Sequence, residues 1–99
     1  NLANDLTRVS GSVVGATFNP RREIDYYGLM NTSATAVVDH FLTLLVDGDV
    51  PAAVRTALID FMNRTDAGPV PFTFTDAKIS EKVRGLVHLI MSLPEYQMA

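Results

Sequence analysis

The chain has 99 residues, of which 47% are hydrophobic and 19% are charged, and its formal net charge is −3. This length and composition predict one globular domain with a modest core and argue against disorder. The acidic balance disfavours nucleic acid as a partner, and the absence of cysteine excludes disulfides and thiolate metal sites. No apolar run approaches the ~20 residues that span a bilayer, so no transmembrane segment is predicted.

The first third of the chain lacks a regular hydrophobic period. Apolar residues in residues 2–10 are spaced for one face of a short helix. Residues 12–18 fit a short strand and a loop equally well, and the Asn19-Pro20 pair indicates a turn. Residues 1–32 are therefore expected to be irregular, apart from the short helix.

The first main helix is predicted over residues 33–47. Asn31, Thr32 and Ser33 precede it, and such side chains accept hydrogen bonds from the free N–H groups of a helix start. Gly48 follows it as a natural residue after a helix end. The apolar stripe has helical spacing and consists of Ala34, Val38, Phe41 and Leu45, flanked by Val37 and Leu42.

The second main helix is predicted over residues 50–64. Asp49 is a plausible N-cap, and Pro51 falls in the first turn, where its missing N–H costs nothing. Because the link to the preceding helix is short, the two helices are expected to pack as an antiparallel pair. The predicted stripe consists of Val54, Leu58, Phe61 and Met62.

Residues 65–75 are predicted to be a loop in which the rings of Phe72 and Phe74 lie against the helices. The third main helix is predicted over residues 76–92 and carries the most regular stripe of the chain. That stripe consists of Ile79, Val83, Leu86, Ile90 and Leu93. Pro94 either stops this helix or opens a further turn. The expected fold class is thus all-α, a small bundle of three main helices (33–47, 50–64 and 76–92).

The two histidines are the first candidates for chemistry, because histidine is the usual acid, base or metal ligand near neutral pH. His88 lies on the polar face of its helix with Arg84 and Glu81, and His40 also lies away from its apolar stripe. A zinc or di-iron site needs three or four converging ligands, which neither helix supplies. Solvated faces are the favoured interpretation of both. No catalytic residues are identified, and no cofactor or metal site is predicted.

The sequence Asp47-Gly48-Asp49 resembles the start of a calcium loop, but the residues that follow it offer no side-chain oxygens. Helix-end and turn roles explain it better.

Residues 19–27 form the most unusual local run, with two arginines beside two tyrosines. The arginines, Arg21 and Arg22, are balanced by two nearby acidic residues, which favours a self-neutralising loop whose tyrosines pack on the helices. The alternative is contact with a partner, since arginine and aromatic residues are favoured as interface anchors.

Residues 81–97 carry a resemblance to a known family through the run EKVRGLVHLIMSLPEYQ. This run resembles the C-terminal signature of a bacterial family called domain of unknown function 1800. Leu93 stands between Ser92 and Pro94, where the family often has Ser-Pro-Glu directly. The similarity extends upstream through the Asp47-Gly48 turn and covers roughly residues 33–97. A family of planctomycete cytochrome-linked proteins ends with a similar motif and is the alternative.

The resemblance implies that the chain is the C-terminal part of a longer, largely helical bacterial protein, which is exported to the periplasm or beyond. It brings no established activity and no site residues.

Two functional hypotheses follow from the sequence. The leading one is a non-catalytic accessory or interaction region, whose partner is the remainder of its own chain or another protein. The rival is part of an enzyme in which His88, Arg84 and Glu81 complete a site formed mostly by other parts of the protein. A small homo-oligomer is a further possibility, because a thin core can be completed by self-association.

Overall fold

The computed structural model describes residues 18–98, and within them the chain is mostly helical, which confirms the predicted class. The predicted helix at 2–10 and all but the last residue of the strand-or-loop segment at 12–18 lie outside this range. Among residues 18–98, no helix is both long and apolar enough to cross a membrane.

Five helices and one small hairpin make up the described part of the chain, so three main helices were too few. The helices are α1 (Pro20–Tyr26), α2 (Ala34–Val46), α3 (Ala52–Met62), α4 (residues 76–91) and α5 (Pro94–Gln97). Between α3 and α4, the two-residue strands β1 (Arg64–Thr65) and β2 (Gly68–Pro69) pair antiparallel, with Arg64 opposite Pro69 and Thr65 opposite Gly68.

Helix α1 corrects the expectation that residues 18–32 would be irregular. The Asn19 side chain accepts a hydrogen bond from the backbone N–H of Arg22 at 3.2 Å, which caps the helix start. Pro20 occupies the first helical position, where its fixed φ favours the helix. Ile24 on the inner face is fully buried. The Asn19-Pro20 pair therefore begins a helix, where a turn was predicted.

Helix α2 is the central helix and packs against α3, α4 and α5. Ser33 caps its start, accepting from the N–H of Ala36 at 2.9 Å, as predicted. At its other end Asp47, with φ of 60°, adopts the left-handed conformation, and the N–H groups of Asp47 and Gly48 both donate to the carbonyl of Leu42. Its buried face is wider than the predicted stripe, because it also includes Leu44 and Val46.

Helix α3 begins two residues later than predicted, at Ala52, and packs against α2. Pro51 is the N-cap residue and provides no side-chain hydrogen bond, so the assignment of Asp49 as N-cap was wrong. The reason is steric, since the residue before a proline is pushed away from helical geometry and Val50 cannot begin the helix. Of the predicted stripe, Leu58 and Met62 are buried, and Val54 and Phe61 are partly buried against the core.

The end of α3 is held by Asn63. Its backbone carbonyl accepts from the N–H of Val70 at 3.0 Å, and its side-chain oxygen accepts from the N–H of Phe72 at 2.9 Å. These bonds hold residues 70–72, which follow the hairpin, against the end of α3. The rings of Phe72 and Phe74 then pack against the core, with centroids 5.0 Å apart, which confirms the predicted placement of both rings.

Helix α4 contains a π-helical segment, Ile79–Val83, between an α-helical turn, Asp76–Lys78, and an α-helix, Arg84–Met91. The Thr75 hydroxyl caps its start. The predicted stripe is confirmed in four fully buried residues: Ile79, Val83, Leu86 and Ile90. Leu93 is only partly buried and packs on the outside of this core.

Pro94 opens the short helix α5, the second of the two outcomes predicted for it. Tyr96 in that helix packs against the core, and α5 contacts both α2 and α4.

Helices α3 and α4 approach each other closely at Gly85. A Cβ atom on Gly85 would lie 2.7 Å from Cζ of the Phe61 ring. Real Cβ atoms are not found that close to another carbon, so the missing side chain makes room for the ring.

We expect Gly85→Ala to destabilise the domain by about 1–3 kcal/mol, because the added methyl group overpacks the contact with Phe61. Urea unfolding measures this free energy. In a Phe61→Leu background the smaller side chain makes room, and the better helix propensity of alanine should then leave the substitution neutral or favourable. An equal loss in both backgrounds would contradict the proposed contact.

Candidate functional site

The two histidines, which the sequence analysis placed on polar faces, differ in burial. His40 is half-buried, with its ring centroid 4.1 Å from that of Tyr27 and 5.1 Å from that of Phe41. The prediction of a solvated face is therefore wrong for His40, because the ring of Tyr27, the residue after α1, packs against the His40 ring. His88 is exposed, as predicted.

The polar side chains that accompany His88 are also exposed. Glu81 lies on the surface, and the guanidinium carbon of Arg84 lies 5.9 Å from the centroid of the Phe18 ring. Within residues 18–98, no group of three or more His, Asp or Glu side chains is close enough to hold a metal ion. The geometry of this helix face is that of an open surface.

An ion pair joins α2 to α3. The Arg55 guanidinium donates to both carboxylate oxygens of Asp39, at 2.7 and 2.9 Å, in a bidentate arrangement. The hydrogen bonds from Arg55 lower the pKa of Asp39 below its ordinary value. Both side chains are nearly half exposed, so solvent screens the pair and its contribution to stability is small.

Two members of the run of arginines and tyrosines over residues 19–27 make contacts within the domain. Arg21 is neutralised by Asp25, at 3.0 Å, and by Asp76 at the start of α4. The Tyr27 ring packs on His40, as the packing interpretation predicted.

The other two members of this run form an exposed surface. The Arg22 guanidinium has no ion-pair partner among residues 18–98, and Tyr26 is 68% exposed. The two side chains are four residues apart, which places them together on one helix face. We call Arg22 and Tyr26 the α1 surface.

An open groove of about 390 Å³ lies between the hairpin and α4. We call it the Lys82 groove. It is lined by Phe61, Arg64, Thr65, Asp66, Gly68 and Lys82.

Lys82 occupies an unusual place for a lysine, because only 7% of its surface is exposed. Its ammonium donates to the backbone carbonyls of Phe61, at 3.0 Å, and Arg64, at 2.6 Å. It also lies 4.4 Å from the centroid of the Phe61 ring. The Phe61 carbonyl lies in the last turn of α3 and has no partner within that helix, so the ammonium satisfies it. The positive charge also complements the negative end of the α3 dipole.

The hairpin shapes the opposite wall of the groove. The Thr65 hydroxyl accepts from the N–H of Ala67 at 3.2 Å and donates to the carbonyl of Gly68 at 3.3 Å, which stabilises the tight turn. Within residues 18–98, neither Arg64 nor Asp66 takes part in an ion pair. The groove therefore carries one buried cation and two exposed charges of opposite sign.

Lys82 was not singled out in the sequence analysis, and its burial was missed. A signal was available, since an α-helix advances about 100° per residue and Lys82 falls about 60° from Ile79, at the edge of the apolar stripe. A lysine at such an edge buries its aliphatic stem and needs a partner for its ammonium.

Comparison with known proteins adds no assignment to this geometry: no family model, no curated protein and no solved structure matches the chain.

We expect Lys82→Met to destabilise the domain by about 1–3 kcal/mol, because it leaves two backbone carbonyls without their donor in a buried place. Lys78→Met on the same helix is the matched control and should have little effect, since its side chain makes no hydrogen bond within residues 18–98. Chemical unfolding of both variants measures the difference. Equal stabilities for the two variants would refute the role of the ammonium.

The ion pair between Asp39 and Arg55 predicts a pH-dependent effect. Because the pKa of Asp39 is lowered in the folded state, the ion pair stabilises the fold above the ordinary pKa of aspartate. This stabilisation is lost as the pH falls through the lowered pKa. Asp39→Asn should therefore lower the melting temperature slightly at pH 7, and its gap from the parent should close in acid. Asp60→Asn, at an exposed site on α3, should show no such gap, and a gap that persists unchanged to pH 2 would contradict the pairing.

Proposed function

We propose that the chain is a non-catalytic helical interaction domain and that the α1 surface is its contact with another protein. The observation that carries this proposal is the exposure of Tyr26 beside an arginine that has no ion-pair partner within residues 18–98. Tyrosine and arginine are, with tryptophan, the side chains enriched among residues that dominate binding energy.

The chemistry of the α1 surface indicates what the partner offers. The Arg22 guanidinium is a planar fork suited to a carboxylate, and the Tyr26 ring gives a flat apolar area with a hydroxyl group at its end. The Tyr26 ring also contacts Tyr27 edge to face at 4.8 Å, and Tyr27 in turn packs on His40 of α2. A rigid aromatic support lowers the entropy lost on binding. The partner is therefore expected to present a carboxylate next to an apolar side chain.

The resemblance of residues 81–97 supports the proposal that this domain is part of a larger protein. In that setting it is an accessory region in the C-terminal part of a larger, exported bacterial protein, and the partner surface belongs to the rest of that protein or to a second protein. A second copy of the same chain is a further candidate, to be distinguished by sedimentation.

The rival proposal, part of an enzyme, requires Glu81, Arg84 and His88 to line a pocket completed by other chain segments. All three are exposed, and the groove described above is lined by other residues. This arrangement favours the interaction domain over the rival.

Site-specific photo-crosslinking tests the proposal in the full protein in its own cells. A photoreactive amino acid at position 26 should give one discrete protein adduct, and the same group at the exposed position of Thr56 on α3 should give none. Arg22→Glu should abolish the adduct and, with the purified partner, weaken binding by about tenfold or more, because it reverses the charge that meets the carboxylate. No adduct at position 26, or the same adducts at both positions, would overturn the proposal.

A further inference from the structure

We propose that the Lys82 groove is a binding site for a monocarboxylate that carries a short apolar chain. This site is separate from the α1 surface, since it is built from α3, the hairpin and α4, and it stands or falls independently of the proposed function.

The first observation is a buried positive charge without a negative partner. Lys82 is 7% exposed, and no carboxylate within residues 18–98 forms an ion pair with it. Burying an ammonium is costly unless it is both hydrogen-bonded and paired with an opposite charge. The carbonyls of Phe61 and Arg64 supply the hydrogen bonds, but they supply only partial negative charge. An anion in the groove would complete the pairing.

The second observation is the number of donors that remain. A lysine ammonium has three N–H donors, and two of those of Lys82 are used by the two carbonyls, so one remains for a ligand. Arg64 lines the same groove, and its guanidinium has no ion pair within the described residues. Together they offer one point donor and one planar fork, which suits the two oxygens of a carboxylate.

The third observation concerns selectivity. Asp66 lines the same groove and its negative charge repels dianions, which disfavours phosphate monoesters relative to a singly charged carboxylate. The Phe61 ring lines the wall beside the ammonium and gives the apolar part of the ligand a surface to cover. The volume of about 390 Å³ holds a small ligand or the end of a peptide.

Two sources share this chemistry, a free short-chain carboxylic acid and the C-terminal carboxylate of a peptide, and NMR titration distinguishes them. Butyrate and N-acetyl-glycyl-valine are added separately to the isotopically labelled chain, with the two corresponding amides as uncharged controls. We expect saturable shifts at residues 61–68 and 82 with at least one carboxylate and none with its amide. The tighter of the two carboxylates identifies the source.

Three variants make the result specific. Arg64→Gln should weaken binding about tenfold, because it removes a charge-assisted hydrogen bond. Asp66→Asn should strengthen it about two- to threefold at low salt, because it removes the like charge. Lys78→Gln, which removes a positive charge from α4 outside the groove, is the control and should leave the affinity unchanged.

The proposal is overturned if neither carboxylate gives saturable shifts at these residues, if each amide binds as well as its acid, or if Arg64→Gln and Lys78→Gln have the same effect. These outcomes do not depend on the stability of a Lys82 variant, because Arg64 and Asp66 are both exposed and their substitution leaves the buried contacts intact.

Discussion

The buried ammonium of Lys82 is the interaction on which the rest of this structure depends. It joins the end of α3, the first strand of the hairpin and the π-helical segment of α4 through two hydrogen bonds to backbone carbonyls. A side chain with an apolar tip would leave these carbonyls unsatisfied, and a shorter polar one would not reach them. The position of the hairpin, and with it the groove, therefore depends on a lysine placed at the edge of an apolar stripe, together with the hydrogen bonds of Asn63.

Phe61 links this polar contact to the apolar core. Its ring lies over the backbone of α4 at Gly85, faces the Lys82 ammonium and lines the groove. Close packing transmits small displacements, so a ligand in the groove and the spacing between α3 and α4 are expected to be coupled. The α1 surface is supported differently, by the Tyr27 ring, which contacts the tilted ring of His40 on the central helix. The domain thus presents two surface features that rest on separate parts of its core.

The long periodic segments could be predicted from the sequence, and the short or polar features could not. The stripes of α2 and α4 repeat over at least three turns and that of α3 over about two and a half, and burial of most of their residues agrees with that spacing. Helix α1 has seven residues and buries Pro20, Glu23 and Ile24, of which only Ile24 belongs to the hydrophobic core, so no apolar period could emerge. Its cap and its proline were the available signals. The burial of Lys82 and His40 depends on residues distant in sequence, the carbonyls of Phe61 and Arg64 and the ring of Tyr27, which no local pattern contains.

The most direct test is NMR observation of the lysine ammonium groups themselves. If the Lys82 ammonium is buried and bound to the carbonyls of Phe61 and Arg64, its protons will exchange slowly with water and show couplings across the hydrogen bonds to those two carbonyl carbons. The Lys78 ammonium on the same helix serves as the internal reference and should exchange rapidly. Exchange at Lys82 as fast as at Lys78, with no such couplings, would contradict the central role given to this side chain.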